Sequence, residues 1–461
     1  MSTSALFILL LGFGVIAFFT GRARAQMMKP VAAIRPHSRP NYHGWYVALW
    51  AIIPAVIFLA IWAVISPGLV TQALLSDPLA SQLPPPGMER DAIFAEMYGL
   101  ANGTVEAAFN PIADQLLSVF KAADGFYAMI GAVVTVLLAF AGGGFAFTRL
   151  NGDFRARTRV ERIVMLTLLG ASLIAILTTF GIVASLLFES MRFFGMVSPV
   201  EFLTGLTWSP QTAIRADQVG SSGSFGAVPL FWGTIFIGAI IAMIVAIPLG
   251  LMSAIYLTQY ANATVRRWMK PLLEMLAGVP TVVYGYFAAL TIAPALRDFA
   301  VMIGISGASS ESALAAGVVM GVMIIPFVSS MADDSLTAVP QAMRDGSLAM
   351  GATTSETIRK VLVPAALPGV VGGVLLAVSR AIGETMIVVM AAGLAANMTA
   401  NPFSSVTTVT TQIVQLLTGD QEFESAKTLA AFALGLVLFL ITLMLNVIAL
   451  RVVKKYREAY E

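Results

Sequence analysis

The sequence predicts an all-α integral membrane protein with about nine transmembrane helices. Three observations carry this. Of 461 residues, 58% are hydrophobic and 11% charged, whereas soluble domains reach about 45–50% apolar with glycine included and about 25% charged. Runs of the roughly 20 apolar residues needed to cross a bilayer recur along the chain. Lysine and arginine gather in alternate loops, as the orientation rule for membrane proteins requires.

The predicted spans are 4–20, 46–68, 126–147, 163–188, 229–257, 272–296, 313–331, 366–393 and 427–451. "MSTSA" supplies no positive n-region, so the first span does not read as a signal peptide. The 21–45 loop holds Arg22, Arg24, Lys29, Arg35 and Arg39, and the 148–162 loop holds Arg149, Arg155, Arg157, Arg159 and Arg162. "VRRWMK" at 265–270 and "RVVKKYRE" at 451–458 continue the pattern. The 69–125 loop has only Arg90 and Lys121 against seven carboxylates. Nine spans put every basic loop on one side, giving an outside N-terminus, a cytoplasmic C-terminus and external loops at 69–125 and 189–228.

The chain divides near residue 160. Residues 1–160 form an N-terminal extension of three spans, whose external loop (69–125) reads as one or two amphipathic helices. Packing and anchoring, or docking of an external partner, both fit that loop.

Absences narrow the chemistry. Without cysteine there is no disulfide framework, thiolate nucleophile or Cys-based metal site. The only histidines, His37 and His43, lie in a polar stretch and cannot ligate a haem between spans. No Gly-Lys dipeptide occurs, so there is no P-loop, and any work on ATP falls to another chain. No cofactor or metal is expected, and the chain is not expected to be an enzyme.

Between spans seven and eight lies "MADDSLTAVPQAMRDGSLAMGATTSETIRKVLVPAALPG", 331–369. Leu336, Met343 and Leu348 suit a short helix, and Gly351 suits a left-handed turn after it. Thr353 with Glu356 three residues on is a capping-box pattern, opening a second short helix that is expected to end at Pro364. Helix, glycine turn and capped helix make a bracket projecting into the cytoplasm.

This segment resembles the cytoplasmic motif of permease subunits of ATP-binding-cassette importers: EAA, three residues, Gly, nine residues, I-x-L-P. Here Asp345-Gly346-Ser347 stands for EAA, Gly351 follows after three residues, and Val361-Leu362-Val363-Pro364 after nine more. "LLEMLAGVPTVVYG" and "RAIGETM" (380–386) sharpen the resemblance to the phosphate-specific PstC type, over roughly 160–452. The resemblance implies that 161–461 is a type I importer permease core with a coupling segment at 331–365. Asp345, Gly346, Gly351, Glu356 and Pro364 would serve ATPase coupling. The implied partners are a second homologous permease, two ATPase subunits, an external phosphate-binding protein and membrane lipid, with no nucleic acid. The implied location is a bacterial inner membrane. Permeases for molybdate, sulfate or phosphonate, or a secondary transporter, are the rival readings.

"LLAVSRAIGETMIVVMAAG" (375–393) places Arg380 and Glu384 in an otherwise apolar run. Exposure of a charge to lipid costs about 3 to more than 10 kcal/mol, so both must face protein or a wet cavity. If span eight is one helix, Arg380 lies near its centre and the i,i+4 spacing brings the two within reach. They read either as a buried structural pair or as an anion site. The resemblance implies the second, with Arg380, Glu384 and Thr385 in the phosphate pathway and Glu384 holding Arg380 between transits. Glu274 is expected to pair with Arg266, Arg267 or Lys270. The glycines of "AGGGFAF" and "GVVGGV" are expected to allow close helix approach.

Overall fold

A computed structural model describes residues 3–28, 37–105, 107–212, 222–305, 307–418 and 424–457. Lys29 and Arg35, used above for orientation, and Glu106 and Glu458 lie outside the described residues. By contact density the chain forms two units, Met1–Ile176 and Leu177–Glu461.

In the first unit α1 (Thr3–Met27), α2 (Pro40–Leu75) and α4 (Pro111–Thr148) form a bundle, with α3 (Met88–Asn102) laid against one end. The amphipathic loop residues are shared between two helices. Residues 88–102 make α3, while 111–125 continue directly into the membrane span as α4. Asn110 starts α4 by accepting the Ile112 N–H at 3.0 Å, and Pro111 at the first helical position needs no donor. Three buried clusters hold the unit: Leu6, Leu10, Ala55, Leu59 and Ala139; Tyr46, Val47, Ala146, Leu150 and Val160; and, under α3, Leu74, Ile93, Met97 and Leu116. A Cβ on Gly142 would collide with the Trp50 carbonyl, so this glycine permits the close approach of α2 and α4.

A long helix, α5 (Ala156–Met196), runs across the division between the units. The second unit continues with α6 (Pro199–Thr204) and a two-stranded antiparallel hairpin, β1 (Trp208–Thr212) and β2 (Ser222–Phe225), in which Trp208 pairs with Phe225. Then come α7 (Val228–Tyr260), α8 (Ala263–Ala277), α9 (Thr281–Met302), α10 (Ala313–Thr337), α11 (Gln341–Ala349), α12 (Thr354–Ile382), α13 (Met386–Ala391), α14 (Val409–Leu417) and α15 (Ala426–Arg457). One core joins α7, α10, α12 and α13 through Ile237, Ala242, Met320, Ile324, Ala377 and Ile387. A second gathers Phe193, Phe202, Trp208, Leu230, Leu429 and Leu434.

Among the described residues eight helices are long and apolar enough to span a membrane, or nine if one bent pair counts as a span. That pair is predicted span six. It is not a straight 272–296 helix: α8 and α9 meet at 84° across Gly278-Val279-Pro280. Pro280 has no N–H to continue the ladder and forces extended geometry on its predecessor. Span eight is also broken, at Gly383-Glu384-Thr385, so the apolar run 366–393 is two helices instead of one.

Pro364 does not end a helix. Residues 358–362 widen into a π turn, closed by the Val363 N–H on the Ile358 carbonyl, and the helix runs on through Pro364 to Ile382. Proline would clash with the carbonyl four residues back and leave it without a donor, and the wider turn relieves both. The same arrangement recurs at 288–292, two residues before Pro294. Leu336 belongs to α10 and not to the short helix that follows, because α10 runs to Thr337.

Candidate functional site

Two places in the second unit collect the residues that the sequence singled out. The first is the break after α12. Arg380 lies in the last turn of α12, about 30 Å along the helix from Lys360 at 1.5 Å per residue. Arg380 is therefore at a helix end, two residues from the break, and not mid-helix. There the unpaired carbonyls of a C-terminus favour a cation. Its side chain is exposed and has no ion-pair or hydrogen-bond partner among the described residues.

Glu384 does not pair with Arg380. The helix stops at Ile382, so the i,i+4 geometry that would have joined them is lost. Instead Glu384 Oε1 accepts the Met386 N–H, the first of α13, at 3.2 Å. Thr385 turns its hydroxyl back to the Gly383 carbonyl at 3.4 Å.

The break is held from behind by groups that the sequence reading missed. Thr410 Oγ1 donates to the Glu384 carbonyl at 2.8 Å. Thr408 Oγ1 lies 3.0 Å from Thr410 Oγ1 and 2.9 Å from Thr411 Oγ1. Trp208 Nε1 donates to Gln412 Oε1 at 2.9 Å, and Gln412 Nε2 donates to Thr407 Oγ1 at 3.2 Å. All five of these Thr and Gln side chains are buried. The signal was the run "SVTTVTTQ" (405–412), β-branched and polar inside an apolar region. Buried hydroxyls of this kind must find partners, which fixes the backbone that supplies them.

The second place is the bracket. The capping box forms as its residues predict: the Thr353 N–H and hydroxyl each donate to Glu356 Oε2 at 3.0 Å, and the Glu356 N–H donates to Thr353 Oγ1 at 3.3 Å. In this exposed first turn, ahead of the apolar run, the Thr353 N–H and hydroxyl, then Lys360, hold the Glu356 carboxyl below its ordinary value. Gly351 sits at φ +85°, where only glycine is unstrained. Ser347 Oγ meets Thr357 Oγ1 at 2.9 Å, tying α11 to the start of α12. The root of the bracket is apolar and buried, built from Ala254, Ala332, Leu336, Ile358 and Leu362. Its tip is the opposite. No residue of α11 is buried, Asp345 and Gly346 are exposed, and Met343, Leu348 and Met350 present apolar side chains outward. The bracket is thus an arm anchored at an apolar root, with apolar side chains exposed at its tip.

Glu274 is exposed and forms no ion pair among the described residues. The cations expected to join it turn to α10: Arg266 and Lys270 reach buried Asp333 at 3.1 and 2.6 Å. Among the described residues no group of acidic and histidine side chains could hold a metal ion.

Residues 246–458 match the family model "binding-protein-dependent transport system inner membrane component", and residues 5–178 match "phosphate ATP-binding cassette transporter". The phosphate transport system permease protein PstC of Mesorhizobium japonicum is 31% identical over 320 residues, 66% of this chain and 90% of that protein. The chain belongs to the PstC family of ABC importer permeases. PstC of Haemophilus influenzae is 29% identical over 331 residues, covering 68% of this chain and 96% of its own. A probable ABC transporter permease of Bacillus subtilis, YqgH, is 32% identical over 248 residues, 54% of this chain and 75% of that one. The solved methionine ABC transporter MetNI, inward-facing, matches over 49% of this chain and 93% of its own at 20% identity and a TM-score of 0.36. The match over residues 5–178 takes in the N-terminal extension of this PstC-type permease.

Proposed function

We propose that this chain is the transmembrane permease subunit of an ATP-driven importer of inorganic phosphate. The observation that carries the reading is Arg380: a guanidinium within an apolar stretch, unpaired among the described residues and poised at a helix end. A charge within a membrane-spanning segment needs a partner, and the PstC relatives are phosphate transport permeases by name. A planar guanidinium offers phosphate two parallel hydrogen bonds. In this reading Glu384 has a different part from the one its spacing suggests: it takes the first N–H of α13 and shapes the break, and Arg380 stays open to an arriving anion. Thr385 lies beside it in the same break.

In this reading residues 161–461 are half of a pathway completed by a second, homologous permease. The bracket, with Asp345, Gly346, Gly351, Glu356 and Pro364, docks on one of two ATPase subunits. A soluble external protein delivers the anion, and the ATPases, not this chain, hydrolyse ATP. The basic loops set the orientation: N-terminus outside, C-terminus in the cytoplasm of a bacterial cell, with the whole chain in the inner membrane.

The test is ATP-dependent uptake of labelled phosphate into vesicles containing the assembled complex, with sulfate, molybdate and phosphonate as competitors. Loss of a charge-assisted pair is worth about 1.5–3 kcal/mol, so Arg380→Gln should cut uptake about ten- to hundred-fold with the complex intact. Undiminished uptake would assign Arg380 a structural role. Wild-type uptake of another oxyanion in place of phosphate would move the substrate while leaving the architecture.

A further inference from the structure

The first unit holds a feature that transport through the second does not use. Between α1, α2 and α4 lies an apolar groove of about 320 Å³, lined by Phe13, Ala17, Thr20, Ala51, Phe140 and Gly144 among others. Phe13, Ala17, Thr20 and Arg24 recur at helical spacing along α1, so the apolar lining leads directly to a cation. The Arg24 guanidinium rests over the ring of Phe147, 4.4 Å from its centroid, and Phe147 is itself a wall of the groove. Arg149 stands over Phe145 at the same end, 4.8 Å from the ring centroid.

The charge at that end is one-sided. Residues 21–28, 37–45 and 148–162 carry eight arginines against Asp153 and Glu161. Glu161 is taken by Arg157 at 2.6 Å, while Arg24 and Arg149 have no carboxylate partner among the described residues.

We propose that this groove is a binding site for an anionic phospholipid, with an acyl chain lying between α1, α2 and α4 and the phosphate headgroup on Arg24. Each part of such a lipid meets its match. The tail meets a floor of glycine and alanine that a chain can lie against, and the head meets a guanidinium already desolvated on one face by Phe147. Basic pockets between membrane helices at the cytoplasmic surface recognise anionic headgroups in this way. A helix from another subunit would satisfy the groove but would leave the arginines at its mouth uncompensated. The site depends on the membrane reading and on neither the substrate nor the coupling.

The groove can be blocked without disturbing the bundle. A Cβ at Gly144 meets nothing within 4 Å, so Gly144→Leu grows into empty space. The assembled complex would be examined by native mass spectrometry, and titrated with phosphatidylglycerol, cardiolipin and phosphatidylcholine as probes. Wild type should retain an anionic lipid. Arg24→Gln should weaken phosphatidylglycerol binding about five-fold, the value of one basic residue at a membrane surface. Gly144→Leu should abolish retention, and Arg157→Gln, at the same end but away from the groove, should leave it unchanged. Equal retention in all four proteins would overturn the proposal. Because the chain has no native cysteine, Gly144→Cys also gives a single cross-linking site. Efficient cross-linking of that residue to another subunit would make the groove a protein interface and overturn it equally.

Discussion

Asp333 shows what a single carboxylate can organise. It is 6% exposed, sits near the end of α10, and takes a hydrogen bond from Arg266 and another from Lys270. Those two cations lie on α8, an amphipathic helix with no buried residue of its own, so the pair of contacts fastens α8 to α10. Removing a buried charge strands its partners, but here both cations are more than a third exposed and water recovers part of the loss. Asp333→Asn should therefore destabilise by about 1–3 kcal/mol, seen as a lower Tm of the purified complex; an unchanged Tm would mean that these ion pairs do not hold α8 in place. The sequence could not reveal this partner. Glu274 is four residues from Lys270, while Asp333 is 63 residues away, and spacing along a helix reports only local neighbours. Arg380 and Glu384 failed to pair for a related reason: the i,i+4 rule holds only while the helix does.

At the scale of elements, what was legible was local chemistry. The Thr353–Glu356 box and the left-handed Gly351 follow from side-chain type alone, and both form. They also differ from Gly346, which lies mid-helix with open space around it. Gly351→Ala forces a side chain into left-handed backbone at about 1–2 kcal/mol and should loosen the bracket, weakening ATPase co-purification. Gly346→Ala should raise stability by up to about 1 kcal/mol instead. Equal thermal shifts for the two would contradict the turn geometry. Prolines were harder to read. The helix before Pro280 stops at Ala277 and Pro280 starts the next, whereas a helix runs through Pro364: the turn before Pro364 widened to admit it, while the Gly278-Val279 stretch let the chain bend away. Nothing in the residue types alone separates those outcomes; the packing of Ile358 and Leu362 in the bracket's root favours continuity.

On the scale of the whole molecule, the buried clusters among the described residues each draw on one unit or the other: three on residues 6–160, three on 193–438. Each unit thus has the apolar core that an independently folding segment needs. A chain lacking residues 1–150 should still insert and co-purify with the ATPase at near wild-type yield; failure to accumulate in membranes would show that the first unit is required to fold the second. The membrane class, the spans and the basic loops were legible because bilayer thickness and charge translocation act on composition directly. The broken spans and the threonine latch on Glu384 were not, since they depend on which distant groups meet.

The widened turn at 358–362 has a mechanical consequence. Each residue of an α-helix advances the face by about 100° and the length by about 1.5 Å. The wider turn holds one residue more than an α turn, so the face of the helix beyond it is offset by about 100° from a regularly wound one. Arg380, some twenty residues further on, carries that offset with it. One widened turn therefore fixes which way the guanidinium faces, and Pro364 is the wedge that keeps the turn from closing.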